Sequence, residues 1–108
     1  MSLYGELLRQ VVDSEAGWVD RPVPELVALV LARRADVSGD TAGRAPSRLG
    51  DALSYDAALV HLCDRLGIEH DLLGPEAGPA ARRQTEERLA GRLPALAPTL
   101  AGGDLPGV

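Results

Sequence analysis

Apolar residues recur at steps of three and four along much of the chain, the period of a helix with one buried face. Leu3, Leu7, Leu8, Val11 and Val12 trace such a stripe over residues 3–15, with Glu6, Arg9, Gln10 and Asp13 largely on the other side. Gly17 supplies a stop. A second helix is expected over 24–36. Pro24 would take its first position, where a missing N–H costs nothing. Glu25 would lie in the first turn, where the helix dipole favours an anion. Leu26 to Ala32 leaves almost no polar face. A helix apolar all round is a buried one, so this segment is expected at the centre of the core. Arg33, Arg34 and Asp36 would mark its wet end.

Residues 37–48 gather helix breakers and read as a long polar loop. A third helix follows over 49–66, where Ala52, Tyr55, Leu59, Leu62 and Leu66 keep the helical step and Leu49, Leu53, Val60 and Cys63 broaden the stripe. Gly67 followed by Ile68 has the form of a glycine C-cap with a trailing apolar contact. The fourth helix is expected over 79–93, with Pro79 at its first position. Its apolar stripe is narrow (Ala81, Thr85, Leu89 and Leu93), and Arg82, Arg83, Glu86, Glu87, Arg88 and Arg92 are expected on wet faces. Residues 94–108 hold three prolines and three glycines with few charges, the composition of a flexible tail. The reading is an all-α, four-helix bundle-like domain over 1–93, followed by that tail.

Composition agrees with helix. Aromatic residues make up 3% of the 108, Phe is absent, and Leu, Ala and Val supply most of the apolar 45%. Strands favour β-branched and aromatic residues, whereas Leu and Ala favour helix. Lys, Asn and Phe are missing, Ile occurs once, and Ala, Gly, Pro and Arg abound. That is the mark of GC-rich coding, and it points to a high-GC bacterial source. The net charge is −5 and the pI about 4.9. Nucleic acid and anionic membranes both demand a basic footprint, so the balance argues against either partner. The longest aliphatic run, Leu26 to Ala32, is far short of the ~18 apolar residues a membrane span needs. The N-terminus lacks the apolar core of a secretory signal. A cytoplasmic address is expected.

Candidate chemistry is sparse. His61 and Asp64 are three apart on one helix face, and His70 could fold back past Gly67. The set His61, Asp64 and His70 is therefore the candidate metal site, although it lacks the dense spacing of H-E-x-x-H or paired C-x-x-C. Cys63 near His61 or His70 could be a nucleophile, but its place in an apolar stripe suits a buried structural thiol. The Glu86–Glu87 pair is expected on a solvated face. The third helix has the size of a DNA-recognition helix, yet Asp51, Asp56 and Asp64 would repel phosphate. Trp18 with Arg21 in the connector is the candidate interaction site, as an aromatic anchor if exposed and a core plug if not. No cofactor is expected.

These residues favour a small non-enzymatic interaction or regulatory module that self-associates, with a two-fold dimer as the commonest outcome. An acidic protein that inhibits a basic partner is one form of it. The alternative is a metal- or ligand-binding sensor or enzyme built on His61, Asp64 and His70.

Overall fold

The computed structural model describes residues 3–38, 45–75 and 77–100, and the described residues hold helices and no strand. Four helices of seven or more residues pack together, as the apolar periodicity implies. They are α1 (Leu3–Ser14), α2 (Val23–Ser38), α3 (Ala45–Leu66) and α4 (Pro79–Arg92); a fifth, α5, is the single turn Ala97–Leu100. A 3₁₀ turn over Ala16–Trp18 leads from α1 towards α2.

The helix ends follow from local chemistry. Gly67 takes a positive φ of 71°. Ile68 N–H donates to the Cys63 carbonyl at 2.9 Å, and Gly67 N–H donates to that of Asp64 at 3.4 Å. That double closure is a Schellman cap, and Ile68 packs on the core behind it. α4 opens with Pro79. α2 begins one residue before the expected start, because the Pro22 carbonyl accepts from both Glu25 and Leu26 N–H.

Three expectations are corrected. First, α2 runs to Ser38 and α3 starts at Ala45, so half of the expected loop is helical and the other half, 39–44, lies outside the described residues. Pro46 falls in the first turn of α3, where it breaks no hydrogen bond. Second, α2 is not the centre of the core. Over residues 23–37 only Leu26, Val30 and Arg34 are buried, while Ala28, Ala32 and Ala35 face solvent. The centre is α3, in which every residue from Ala52 to Cys63 except the half-buried Ser54 is buried. α3 packs against α1, α2 and α4. Third, the segment after Leu93 does not leave the domain at once. Leu96 and Leu100 are both buried in the core, and α5 packs on α4. Residues 101–108 of the expected tail lie outside the described residues.

Gly5 shows how closely α1 is seated. A Cβ at that position would come within 3.2 Å of the Gly74 carbonyl oxygen. A larger side chain would press α1 against the Leu73 and Gly74 carbonyls.

Candidate functional site

Three polar side chains of α3, those of Tyr55, Asp56 and His61, lie inside, and each meets a partner from another part of the chain. Asp56 is fully buried and accepts from Arg82 Nε at 2.7 Å and Nη2 at 2.8 Å, a bidentate pair. The Tyr4 hydroxyl donates to the same carboxylate. Burial, then the Asp56 charge, pushes the Tyr4 phenol well above its ordinary range. Burial would push the Arg82 guanidinium down, but its hydrogen bonds and attraction to Asp56 outweigh this and hold it cationic. This group joins α1, α3 and α4.

One turn along α4, Glu86 joins α2 to the same face. Its carboxylate accepts from Arg34 and, at 2.5 Å, from the Tyr55 hydroxyl. Arg34 also donates to the Tyr55 oxygen at 3.1 Å. Burial and then the Glu86 charge raise the Tyr55 phenol. A third group ties the end of α1 to α2 and α3. Glu15 takes both Arg33 Nη1 and Nη2 at 2.9 Å, and Arg33 Nη1 donates to the Ser54 carbonyl at 2.9 Å. His61 Nε2 donates to Glu15 at 3.0 Å. Partial burial works to raise the Glu15 carboxyl, but hydrogen bonds from Arg33 and His61 hold it below the usual range.

Asp56, Arg82, Glu86 and Arg34 were expected on wet surfaces. They are buried instead, at 0%, 4%, 3% and 6% exposure. The reason is reciprocal: each carboxylate finds an arginine, and burial of a charge is tolerable only when it is paired and hydrogen-bonded. One signal did exist in the sequence. The α4 stripe of Ala81, Thr85 and Leu89 is too narrow to cover a core, so its neighbours Arg82 and Glu86, four apart, had to complete it. Among the described residues no fully buried side-chain nitrogen or oxygen lacks a partner.

The candidate metal set is divided. His61 is buried and turned to Glu15, whereas His70 sits beyond the Gly67 cap and its Nε2 lies 3.5 Å from Asp64 Oδ1. The Leu72 N–H donates to His70 Nδ1 at 3.3 Å, which leaves the ring proton on Nε2, facing Asp64. Among the described residues no three His, Cys, Asp or Glu side chains converge as a metal site would require. Asp64 and His70 border an open groove of about 570 Å³ between the loop after α3 and α4. Arg88 spans that groove and donates to the Glu69 carbonyl at 2.7 Å. Cys63 is buried, and burial with the nearby Asp64 charge pushes its thiol up to about 12. The nucleophilic thiolate is therefore scarce at neutral pH.

Trp18 is half-buried against the core. The Arg21 guanidinium lies 5.3 Å from its ring centre and pairs with Glu25 at 3.1 Å. No described helix is long and apolar enough to cross a membrane. On the outer face of α2, Ala28, Ala32 and Ala35 are exposed, with Val27 and Leu31 partly buried beside them. Comparisons with protein-family models, with curated proteins and with solved structures gave no match to this chain.

Proposed function

We propose that this protein is a small, non-enzymatic protein–protein interaction module that self-associates. One observation carries the reading. α2 carries no charge from Leu26 to Ala32, and while Leu26 and Val30 are buried and Val27, Leu29 and Leu31 are partly buried against the core, Ala28 and Ala32, with Ala35 beyond them, stay exposed. Contiguous apolar surface of this kind marks interaction sites on soluble proteins, and the commonest closed arrangement is a two-fold dimer. The interior supports the same reading, since its acids, arginines, tyrosines and His61 are engaged with one another across helices. A bacterial cytoplasmic address belongs to the proposal and rests on the composition and on a buried thiol in place of a disulfide.

Sedimentation analysis tests the reading. The native chain is expected to sediment as a dimer, and the double substitution Ala28→Glu with Ala32→Glu as a monomer of unchanged helicity. A native chain that stays monomeric at every attainable concentration overturns it.

A second reading, a ligand or metal sensor, is supported only by Asp64 and His70 beside their groove. It expects calorimetric Zn²⁺ binding that His70→Ala abolishes and His61→Ala spares. Absence of binding, or loss with both variants alike, removes it.

A further inference from the structure

Two buried clusters of the same chemistry lie side by side where α4 meets α3. In the first, the Asp56 carboxylate accepts from the Tyr4 hydroxyl and from Arg82, and Arg82 also donates to the Tyr4 oxygen at 3.2 Å. In the second, the Glu86 carboxylate accepts from the Tyr55 hydroxyl and from Arg34, and Arg34 also donates to the Tyr55 oxygen at 3.1 Å. Each cluster is one carboxylate, one arginine and one tyrosine, and together they use both tyrosines of the chain. They differ in what α4 supplies. It brings the arginine to the first cluster and the carboxylate to the second, from positions one turn apart, about 6 Å along its axis.

The uncharged face of α4 does little to choose its place. Ala81, Thr85 and Leu89 are buried, and Leu93 is partly buried beyond them. A slide of one turn puts Thr85, Leu89 and Leu93 where Ala81, Thr85 and Leu89 stood, so this stripe stays free of charge. The same slide carries Glu86 to the place of Arg82 and sets its carboxylate against Asp56. The opposite slide carries Arg82 to the place of Glu86 and sets its guanidinium against Arg34. Turning α4 end for end makes both mismatches at once. All four charges are buried, and there a like-charged neighbour leaves each of them without the partner that makes burial tolerable.

We infer that the two clusters act as a register key: the order of Arg82 and Glu86 along α4, matched to Asp56 and Arg34, admits one position and one direction of α4 on α3. Fixing register at some cost in stability is the best-attested use of polar groups in a core. This inference stands apart from self-association, since the key lies inside one chain.

The test removes the key whole from the full chain. Arg34→Met, Asp56→Leu, Arg82→Met and Glu86→Leu are combined with Tyr4→Phe and Tyr55→Phe, so that no hydroxyl is left without its acceptor. Apolar replacement of both partners of a buried pair is often neutral or stabilising, so helicity by circular dichroism is expected to hold. In amide NMR, the residues of α4 should then give more than one set of signals, or exchange at least ~tenfold faster than in the native chain while α3 keeps its protection. Variants that lose only one cluster should keep a single native set, because the charge left on α4 still forbids the slide. A single sharp set for α4 in native contact with α3, in the chain lacking both clusters, overturns the inference. A chain that does not fold without them also overturns it, since the clusters then hold α4 on rather than choose its place. A second variant reverses the order alone. Arg82→Glu with Glu86→Arg should lower the folding equilibrium constant by at least ~100-fold, whereas Arg83→Glu with Glu87→Arg, the same exchange on the exposed side, should change it less than ~threefold. Native stability after the inner exchange overturns the inference as well.

Discussion

At the scale of single residues, the stability of this protein depends on buried charges that are tolerable only as pairs. Asp56 and Arg82 share two hydrogen bonds at full burial. Breaking such a pair leaves an uncompensated interior charge, at a cost of about 3–5 kcal/mol. Arg82→Ala is expected to lower unfolding stability by that order in urea titrations. The double variant Asp56→Leu with Arg82→Met should recover most of the loss, since replacing both partners with apolar groups is often neutral or better. The tyrosines give a pH signature. Tyr4 and Tyr55 have their pKa values raised above the ordinary 10.0 by burial and a neighbouring carboxylate. Their contribution is fully present below the unfolded-state value and is lost as pH rises towards the folded one. The thermal midpoint should therefore fall above pH ~10, and Tyr4→Phe with Tyr55→Phe should flatten that decline. Glu15 acts in the opposite sense. Its lowered pKa stabilises above the ordinary 4.5, and that share disappears as acid takes the pH through the folded value.

At the scale of elements, each helix end and each docking surface has its own test. Gly67 sits in the left-handed region with φ of 71°, which costs a residue with a Cβ roughly 1–2 kcal/mol. Gly67→Ala should lose about that much in equilibrium unfolding, whereas the same exchange at exposed Gly91, inside α4, should gain up to ~1 kcal/mol from helix propensity. The Gly67 cap was legible from the sequence because its signal is local: a glycine, an apolar residue after it, and a periodic run before it. α5 was not legible. Pro94 and Pro98 suggested slack, yet Leu96 and Leu100 reach the core. Leu96→Ala is expected to cost about 2–5 kcal/mol, as truncations of buried leucines do. Chains ending at Leu93 should lose more than chains ending at Leu100.

At the scale of the whole molecule, α3 is the hub. α1 delivers Tyr4 to Asp56, α4 delivers Arg82 and Glu86, and α2 delivers Arg34 to Tyr55 and Glu86. The self-association proposed above would use the exposed alanines on the outside of α2. An uncharged ridge makes a specific prediction about salt. Raising ionic strength from ~0.1 to ~1 M shortens the screening length from about 10 to 3 Å. The proposed dimer's dissociation constant should nevertheless shift by less than tenfold, because Ala28, Ala32 and Ala35 carry no charge to screen. A steep weakening with salt in sedimentation would instead indicate an acidic surface acting on a cationic partner.

The sequence by itself determined the helical class, the existence of the four main helices, the Gly67 stop and the Pro79 start, because propensity, periodicity and capping act within a few residues. Only the tertiary structure decided which helix lies at the centre. α2 has the more uniformly apolar composition, but α3 is the one surrounded, and its Tyr55, Asp56 and His61 are satisfied by Glu86, Arg82 and Glu15, which lie 31, 26 and 46 positions away along the chain. A pattern read over one or two turns cannot register a partner at that separation. For the same reason it read Arg34, Arg82 and Glu86 as surface residues, and the candidate metal set lost His61 to the Glu15 carboxylate in the turn just after α1.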